Sequence, residues 1–406
     1  MSIPVNNQIS EPGRVLLSLV GCTLFGTDLC LSETVSPGQV LSESRHQAVT
    51  RAAYESLPEN WRVLWEKPAL SSLKTTMVVN AWHGEIHRLM IENGIPYCIL
   101  KGCSSAYYYP DPLCRAMGDV DFLVDKKDVA QATEILKSAG YIPWDEEHIC
   151  HIVFRKGQRH VEMHFEPAGI PDGRAGEIIR GYLSDIFLSS TDAAVKSVSF
   201  VKPDHFHHGL ILLMHTYHHL LSEGIGLRHL CDFAVFADHF TDEQFREIFE
   251  EKLRAAGLWK FTEILGMTAH EALGLPFRGW MDAGDGKVCS ELLADIFCGG
   301  NFGVKDYERA TQGIMISNRG KDGVSRSKFV QIIKGLVKVS YVKYPVTQKA
   351  KLLLPFGMTA VGTGFLLKVL SGRRTMPRLR HAAKKAEIRK KLYRKLHLFE
   401  ITTEEL

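Results

Sequence analysis

Apolar positions along the chain change period several times, and each change marks an element. Met1–Pro12 reads as a flexible start. Arg14–Phe25 is nearly all apolar; Glu11 lies before it and no small-x-small site follows closely, so a short buried helix fits better than a leader peptide. Gln47–Ala53 and Pro58–Trp65 carry helical spacing. Leu73–Asn93 is a stronger helix, with Met77, Ala81, Leu89 and Met90 available for one face, and Gly94 stops it. Tyr97–Leu100 is a short apolar run ended by Lys101-Gly102, which suits a buried strand opening into a tight turn. Phe122-Leu123-Val124 is a second such run. Lys126–Ala139 predicts an amphipathic helix with Val129, Ala132 and Leu136 inward, closed by Gly140. Ile149–Phe154 and Arg159–Phe165 predict a hairpin around Lys156-Gly157-Gln158. On its second arm Val161, Met163 and Phe165 alternate with Glu162 and His164. Pro167–Gly176 is a loop.

From Asp204 onward the spacing is helical. Phe206–Leu221 is a long apolar helix rich in histidine, Asp242–Leu275 gives one or two more, and Val288–Phe297 another. Gly299-Gly300-Asn301-Phe302-Gly303 is a loop without the Lys-Ser/Thr of a phosphate-binding P-loop. Leu352–Leu370 approaches membrane-spanning length but holds Pro355, glycines and Lys368, so a re-entrant or surface-docked helix is an equal reading. A basic tail follows, from Arg373 to Lys395. Leu379, Ile388, Leu392 and Leu396 give it only a narrow apolar stripe, which predicts an exposed basic helix over Ala382–Leu396. These changes divide the chain into 1–95, 96–203, 204–340 and 341–406.

The chemistry concentrates near the second short strand. Asp119 and Asp121 flank Val120; a strand points i and i+2 to one face, so both carboxylates aim one way. Side-by-side like charges repel, and a divalent cation is the commonest remedy. Glu162, on the polar face of a later strand, is the best third carboxylate. His83 and His87 share a helix face, as do His215 and His219, but neither pair has an acidic residue at ligand spacing. A cleft-facing His215 is preferred to zinc.

The ordered set Leu100-Lys101-Gly102, Tyr109-Pro110, Arg115, Asp119-Val120-Asp121-Phe122-Leu123-Val124, then Glu162, resembles the nucleotidyltransferase fold of the DNA polymerase β-like superfamily. It is most similar to the large bacterial family labelled only as uncharacterised nucleotidyltransferases. Gly226-Leu227-Arg228, then Leu230 and Asp232, resembles that family's second recognisable segment. The resemblance covers roughly Ile86 to Asp232. It implies an α+β fold: a small mixed sheet as the polymerase β-like core, N-terminal helices, and a mostly helical C-terminal domain. It implies Mg²⁺ (or Mn²⁺) held by Asp119, Asp121 and Glu162, and a nucleoside triphosphate, with ATP expected, held by Lys101, the Gly102-Cys103-Ser104 turn and Arg115. Arg228 has two readings, an i,i+4 pair with Asp232 or a nucleotide phosphate contact. The superfamily turn is usually Gly-Gly or Gly-Ser; here Cys103 follows Gly102. The implied reaction moves a nucleoside monophosphate to an unknown acceptor: a small molecule, sugar, peptide or protein.

Composition adds limits. A hydrophobic content of 45% with 23% charged residues is ordinary for a globular protein, and the net charge of +3 decides little. Nine scattered cysteines with no C-x-x-C argue for a reducing compartment, so the cytoplasm is expected, with membrane association through the apolar run left open. The contrasting reading is a non-catalytic nucleotide-binding module whose basic tail makes weak contact with a membrane surface or nucleic acid. An RNA-modifying transferase gains from the tail's charge, but only Tyr393 and Phe399 could stack there.

Overall fold

A computed structural model describes residues 9–400 apart from 146–149, 282–285, 307, 310–311, 314–315, 317–335, 338–339, 342, 345 and 371–375. Most of the expected flexible start therefore lies outside the described residues, as do Arg373 and Arg374 of the tail.

The chain opens with helices α1 (Glu11–Phe25), α2 (Pro37–His46), α3 (Thr50–Glu55) and α4 (Glu59–Glu92). α4 is one helix of 34 residues that runs through Pro68, where the sequence suggested two. Its inward face also differs from expectation. Met77 is 54% exposed, while Val79, Asn80, His83, Ile86, Leu89 and Met90 are buried. Gly94 takes φ of 65° and turns the chain into the first strand.

Next come β1 (Tyr97–Ile99), α5 (Cys103–Ala106), β2 (Val120–Val124), α6 (Val129–Ser138), β3 (Ile142–Asp145), β4 (His151–Lys156) and β5 (Arg159–His164). They form a mixed sheet in the order β1-β2-β5-β4-β3. Only β2 and β5 are parallel neighbours; the other pairs are antiparallel. The crossover from β2 to β5 runs through α6, whose Ala132 and Leu136 are fully buried, as predicted. β3 was not foreseen. It is an edge strand whose Ile142 and Trp144 point outward, with the Arg155 guanidinium 3.9 Å from the centre of the Trp144 ring.

After α7 (Arg174–Tyr182) and α8 (Ile186–Ser189), a second hairpin was also missed: β6 (Thr191–Val195) and β7 (Val198–Lys202). Val195 and Phe200 join the core under the larger sheet, together with α4. The remainder is helical among the described residues: α9 (His205–Leu221), α10 (Leu227–Ala237), α11 (Asp242–Phe245), α12 (Glu251–Ala255), α13 (Trp259–Leu273), α14 (Gly286–Gly299), α15 (Leu354–Leu370) and α16 (Met376–Lys395). The N-terminal helices α1 to α3 share one apolar core with α9, α10, α13 and α14. No helix among the described residues is long and apolar enough to cross a membrane.

The basic tail is a correction. α16 is not an exposed helix: Arg389 is 4%, Leu392 5%, Tyr393 6% and Leu396 0% exposed, whereas Ile388 of the expected stripe is 63% exposed. The side chain of Leu379 lies outside the described residues. Arg389 Nη2 and the Tyr393 hydroxyl both donate to the Leu220 carbonyl, at 2.8 and 2.6 Å. That carbonyl is in the last turn of α9, where intrahelical donors run out. A guanidinium beside it also suits the negative end of the helix dipole. Lys385 pairs with Asp306 at 3.0 Å and Lys395 with Glu291 at 2.6 Å. Tyr393, considered above for base stacking, is thus a buried capping residue.

Candidate active site

The parallel register of β2 and β5 sets Asp121 directly beside Glu162. Asp119 lies just before β2 on the same face as Asp121, and His160 and His164 flank Glu162 on the matching face of β5. Asp121, Glu162 and His164 each bring a ligand atom within 4.8 Å of the others, and so do Asp119, His160 and Glu162. Glu162 belongs to both groups, so it links Asp119 and Asp121 in an acidic edge on one face of the two inner strands. A further group joins Cys150, His151 and His164. The two histidines flanking Glu162 were legible in the strand alternation, yet went unassigned.

Cations already lean on this edge. Lys101 Nζ is 2.9 Å from Asp121 Oδ2, and His164 Nε2 is 3.2 Å from Asp121 Oδ1 and 3.4 Å from Glu162 Oε2. Burial pushes the Asp121 carboxyl up, but Lys101 and His164 outweigh it and hold Asp121 well below the usual carboxylate range. Glu162 is lowered too: burial opposes, and the His164 hydrogen bond prevails. Burial would lower the pKa of His164, but hydrogen bonds to Asp121, Cys150 and Glu162 raise it to about 10, so its imidazole is a cation. Asp119 goes the other way. The Asp121 charge and then burial raise it, against Lys101. Two carboxylates are held ionised by two cations, and the third, Asp119, resists ionisation for want of further positive charge. The site's oxygen-rich donor set fits Mg²⁺, and the adjacent His160 nitrogen also admits Mn²⁺.

The turn after β1 is shaped from below. Gly102 has φ of 56°, and a Cβ there would lie 2.2 Å from His83 Nε2. His83 is fixed by donating Nδ1–H to the Val79 carbonyl at 2.9 Å, and burial pushes its pKa down to about 4. Asn80, one turn earlier, accepts the Cys103 thiol at 2.8 Å and donates to the Val195 carbonyl at 3.3 Å. Cys103 is thus a buried structural residue whose pKa burial raises. Ser104 is also engaged: its amide donates to the Lys101 carbonyl at 3.0 Å and its hydroxyl to the Ile99 carbonyl at 2.6 Å. Of the expected phosphate cradle, the amides of Gly102 and Cys103 remain. Gly102→Ala should cost roughly 2–4 kcal/mol in urea unfolding, combining a strained φ with a steric clash. Adding His83→Ala should recover only the clash.

Arg115 was expected at the nucleotide. Its guanidinium is instead gripped by Asp232 of α10, Nε to Oδ1 and Nη2 to Oδ2, both at 2.8 Å, and the Tyr109 hydroxyl donates to Asp232 Oδ1 at 2.8 Å. This pair ties the segment before β2 to the helical part of the chain. Arg228, four residues before Asp232, is directed to a different acceptor. Arg228 Nη1 donates to the Ala116 carbonyl at 3.0 Å, its Nε is buried without a partner, and its charge acts to lower Asp119. Removing one member of the buried pair, as in Asp232→Leu, should cost about 3–5 kcal/mol. Arg115→Met with Asp232→Leu should cost less than the sum of the two single changes, read in chemical denaturation.

His215 lies against His219 and His229, with ring centres 4.4 and 5.2 Å apart, and burial, then the Lys101 charge, lowers its pKa. None of the convergent ligand groups among the described residues contains these three histidines.

A family model described as uncharacterised nucleotidyltransferase matches residues 40–274, more than half of the 406, and the chain belongs to that family. The matched span includes Lys101, Asp119, Asp121, Glu162, Arg228 and Asp232, and begins well before Ile86. No curated protein and no solved structure matches the chain.

Proposed function

We propose that the protein transfers a nucleoside monophosphate from a nucleoside triphosphate, with ATP the expected donor, to an acceptor nucleophile. The observation that carries this reading is that Glu162 of β5 lies within ligand reach of Asp119 in one group and of Asp121, its register partner on the parallel strand β2, in another. In this reading the sheet unit is the polymerase β-like core, residues 96–203, followed by a helical domain, residues 204–340, with the cleft between them. Asp119, Asp121 and Glu162 hold divalent Mg²⁺ or Mn²⁺. Such a cation, when held there, would offset triphosphate charge and make the attacking hydroxyl more acidic. Glu162, held ionised by the His164 hydrogen bond, either helps to hold the ion or accepts the hydroxyl proton. The acceptor oxygen bonds to the α-phosphorus as the bond to the bridging oxygen breaks, and pyrophosphate departs with the electron pair. Lys101 and Arg228 balance the charge that builds on the phosphates. The amides of Gly102 and Cys103 orient the leaving pyrophosphate. Arg115 acts indirectly, by holding α10 and therefore Arg228 in place.

The test uses the four triphosphates labelled at the α-phosphate, with cell extract as the acceptor source, with and without Mg²⁺. Label should pass to an acceptor from at least one triphosphate, only with the metal, and not with Asp119→Asn. Transfer from none of the four, or equal transfer by that variant, sinks the reading.

A further inference from the structure

Beside the carboxylate edge lies a second cluster, contributed by the helices. Phe302 sits in the loop after α14 with φ of 53° and ψ of 36°, a left-handed conformation that a bulky side chain adopts at a cost. Glycine or asparagine would occupy that position more cheaply. The ring is nevertheless 40% exposed, so the strain is not repaid by burying it. The loop is held there by close fit. Gly226, before α10, lets it approach: a Cβ on Gly226 would lie 2.7 Å from Asn301 Cβ. Lys305 anchors the other end of the loop on Glu43 at 2.9 Å.

Polar groups without partners surround the ring. His219 and His229 present edges to Phe302, with ring centres 4.8 and 5.6 Å away, and the Arg228 guanidinium is 5.7 Å from its centre. His229 is 3% exposed, and both of its ring nitrogens lack a hydrogen-bond partner, as does Arg228 Nε, while His219 Nδ1 faces the Glu223 carboxylate at 3.8 Å. Buried donors and acceptors left unmatched are rare in folded proteins and call for a ligand or a water. Burial keeps both imidazoles neutral at physiological pH, so each offers one donor and one acceptor. The same Arg228 reaches toward the catalytic edge, through the Ala116 carbonyl and through its charge on Asp119.

We infer that Phe302, His219, His229 and Arg228 form the subsite for the nucleobase of the triphosphate. The exposed ring offers a flat stacking platform, and the imidazoles and guanidinium offer the mixed donors and acceptors that the edge of a base needs. Phe302 lies beyond the span matched by the family, so its assignment comes from the geometry alone. The inference rests on the nucleotidyltransferase reading.

The experiment measures binding by calorimetry, in Mg²⁺, of the four ribonucleoside triphosphates and of inorganic tripolyphosphate, which has no base. Wild type should bind at least one nucleotide on the order of tenfold more tightly than tripolyphosphate. Phe302→Leu should lose that advantage and bind tripolyphosphate as before, whereas Phe302→Trp should keep it. The subsite is refuted if Phe302→Leu binds nucleotides as wild type does, if it weakens both ligands equally, or if Phe302→Trp loses as much. It is also refuted if wild type favours no nucleotide over tripolyphosphate. Binding of neither ligand by wild type would overturn the nucleotidyltransferase reading and the subsite together, and that result is distinct from the others.

Discussion

Asp119→Asn should lose nucleotidyl transfer by on the order of 10²–10³-fold while the protein becomes no less stable. The two halves of this expectation come from one fact. Asp119 is raised because the Asp121 charge and burial oppose its ionisation. A group whose folded-state pKa is raised binds its proton more tightly folded than unfolded. The folded state therefore holds more protons, and stability falls as pH rises through the carboxylate range. At neutral pH the ionised Asp119 subtracts stability, and the neutral amide removes that penalty. In EDTA the variant should unfold at the wild-type temperature or up to a few degrees higher. Adding Mg²⁺ should then raise the unfolding temperature of the wild type more than that of the variant, because only the intact set binds the ion well. A variant that is inactive and also clearly less stable in EDTA would mean that Asp119 is a structural residue.

How much of this site was legible follows from the range over which each interaction acts. Strand alternation is local, so Asp119 with Asp121, and Glu162 with His164, could be read two residues at a time. That the two strands are parallel neighbours, with Asp121 beside Glu162, no local spacing states; the family resemblance implied only a third carboxylate on a later strand. α4 shows where local reading misleads. Its apolar residues pointed to a face through Met77 and Ala81, but the buried face holds Asn80 and His83. These polar residues are inward because the turn after β1 needs them: Asn80 accepts the Cys103 thiol, and His83 fills the space beside Gly102. A hydrophobic pattern carries no sign of such a demand. Arg115 and Asp232 are 117 residues apart, and no periodicity links them. The nearer partner, Arg228, was one of two readings offered, and a bidentate buried pair outranks an i,i+4 contact worth a few tenths of a kcal/mol.

Arg389→Met should destabilise the helical part of the chain by about 3 kcal/mol, and truncation after Ser371 by more. The sequence suggested the reverse: a solvated basic helix whose loss would spare the rest. Burial decides between them. Arg389 is 4% exposed and donates to the Leu220 carbonyl, Gln312 and the Tyr393 hydroxyl, with Asp295 3.8 Å away. Methionine keeps much of its volume and removes every donor, leaving a helix-terminal carbonyl and a buried amide oxygen short of partners. Tyr393→Phe removes a single donor from the same carbonyl and should cost about 1 kcal/mol. The effect should extend to nucleotide binding. Leu220 follows His219 in α9, so fraying of that last turn disturbs the imidazoles nearest Phe302. Truncation should therefore weaken nucleotide binding along with stability, while Lys391→Ala, an exposed change on the same helix, should alter neither. Hydrogen exchange separates the alternatives: the amides of residues 217–221 should lose protection in Arg389→Met before those of β2 and β5. Unchanged protection in α9 would return the tail to the role of a solvated appendage.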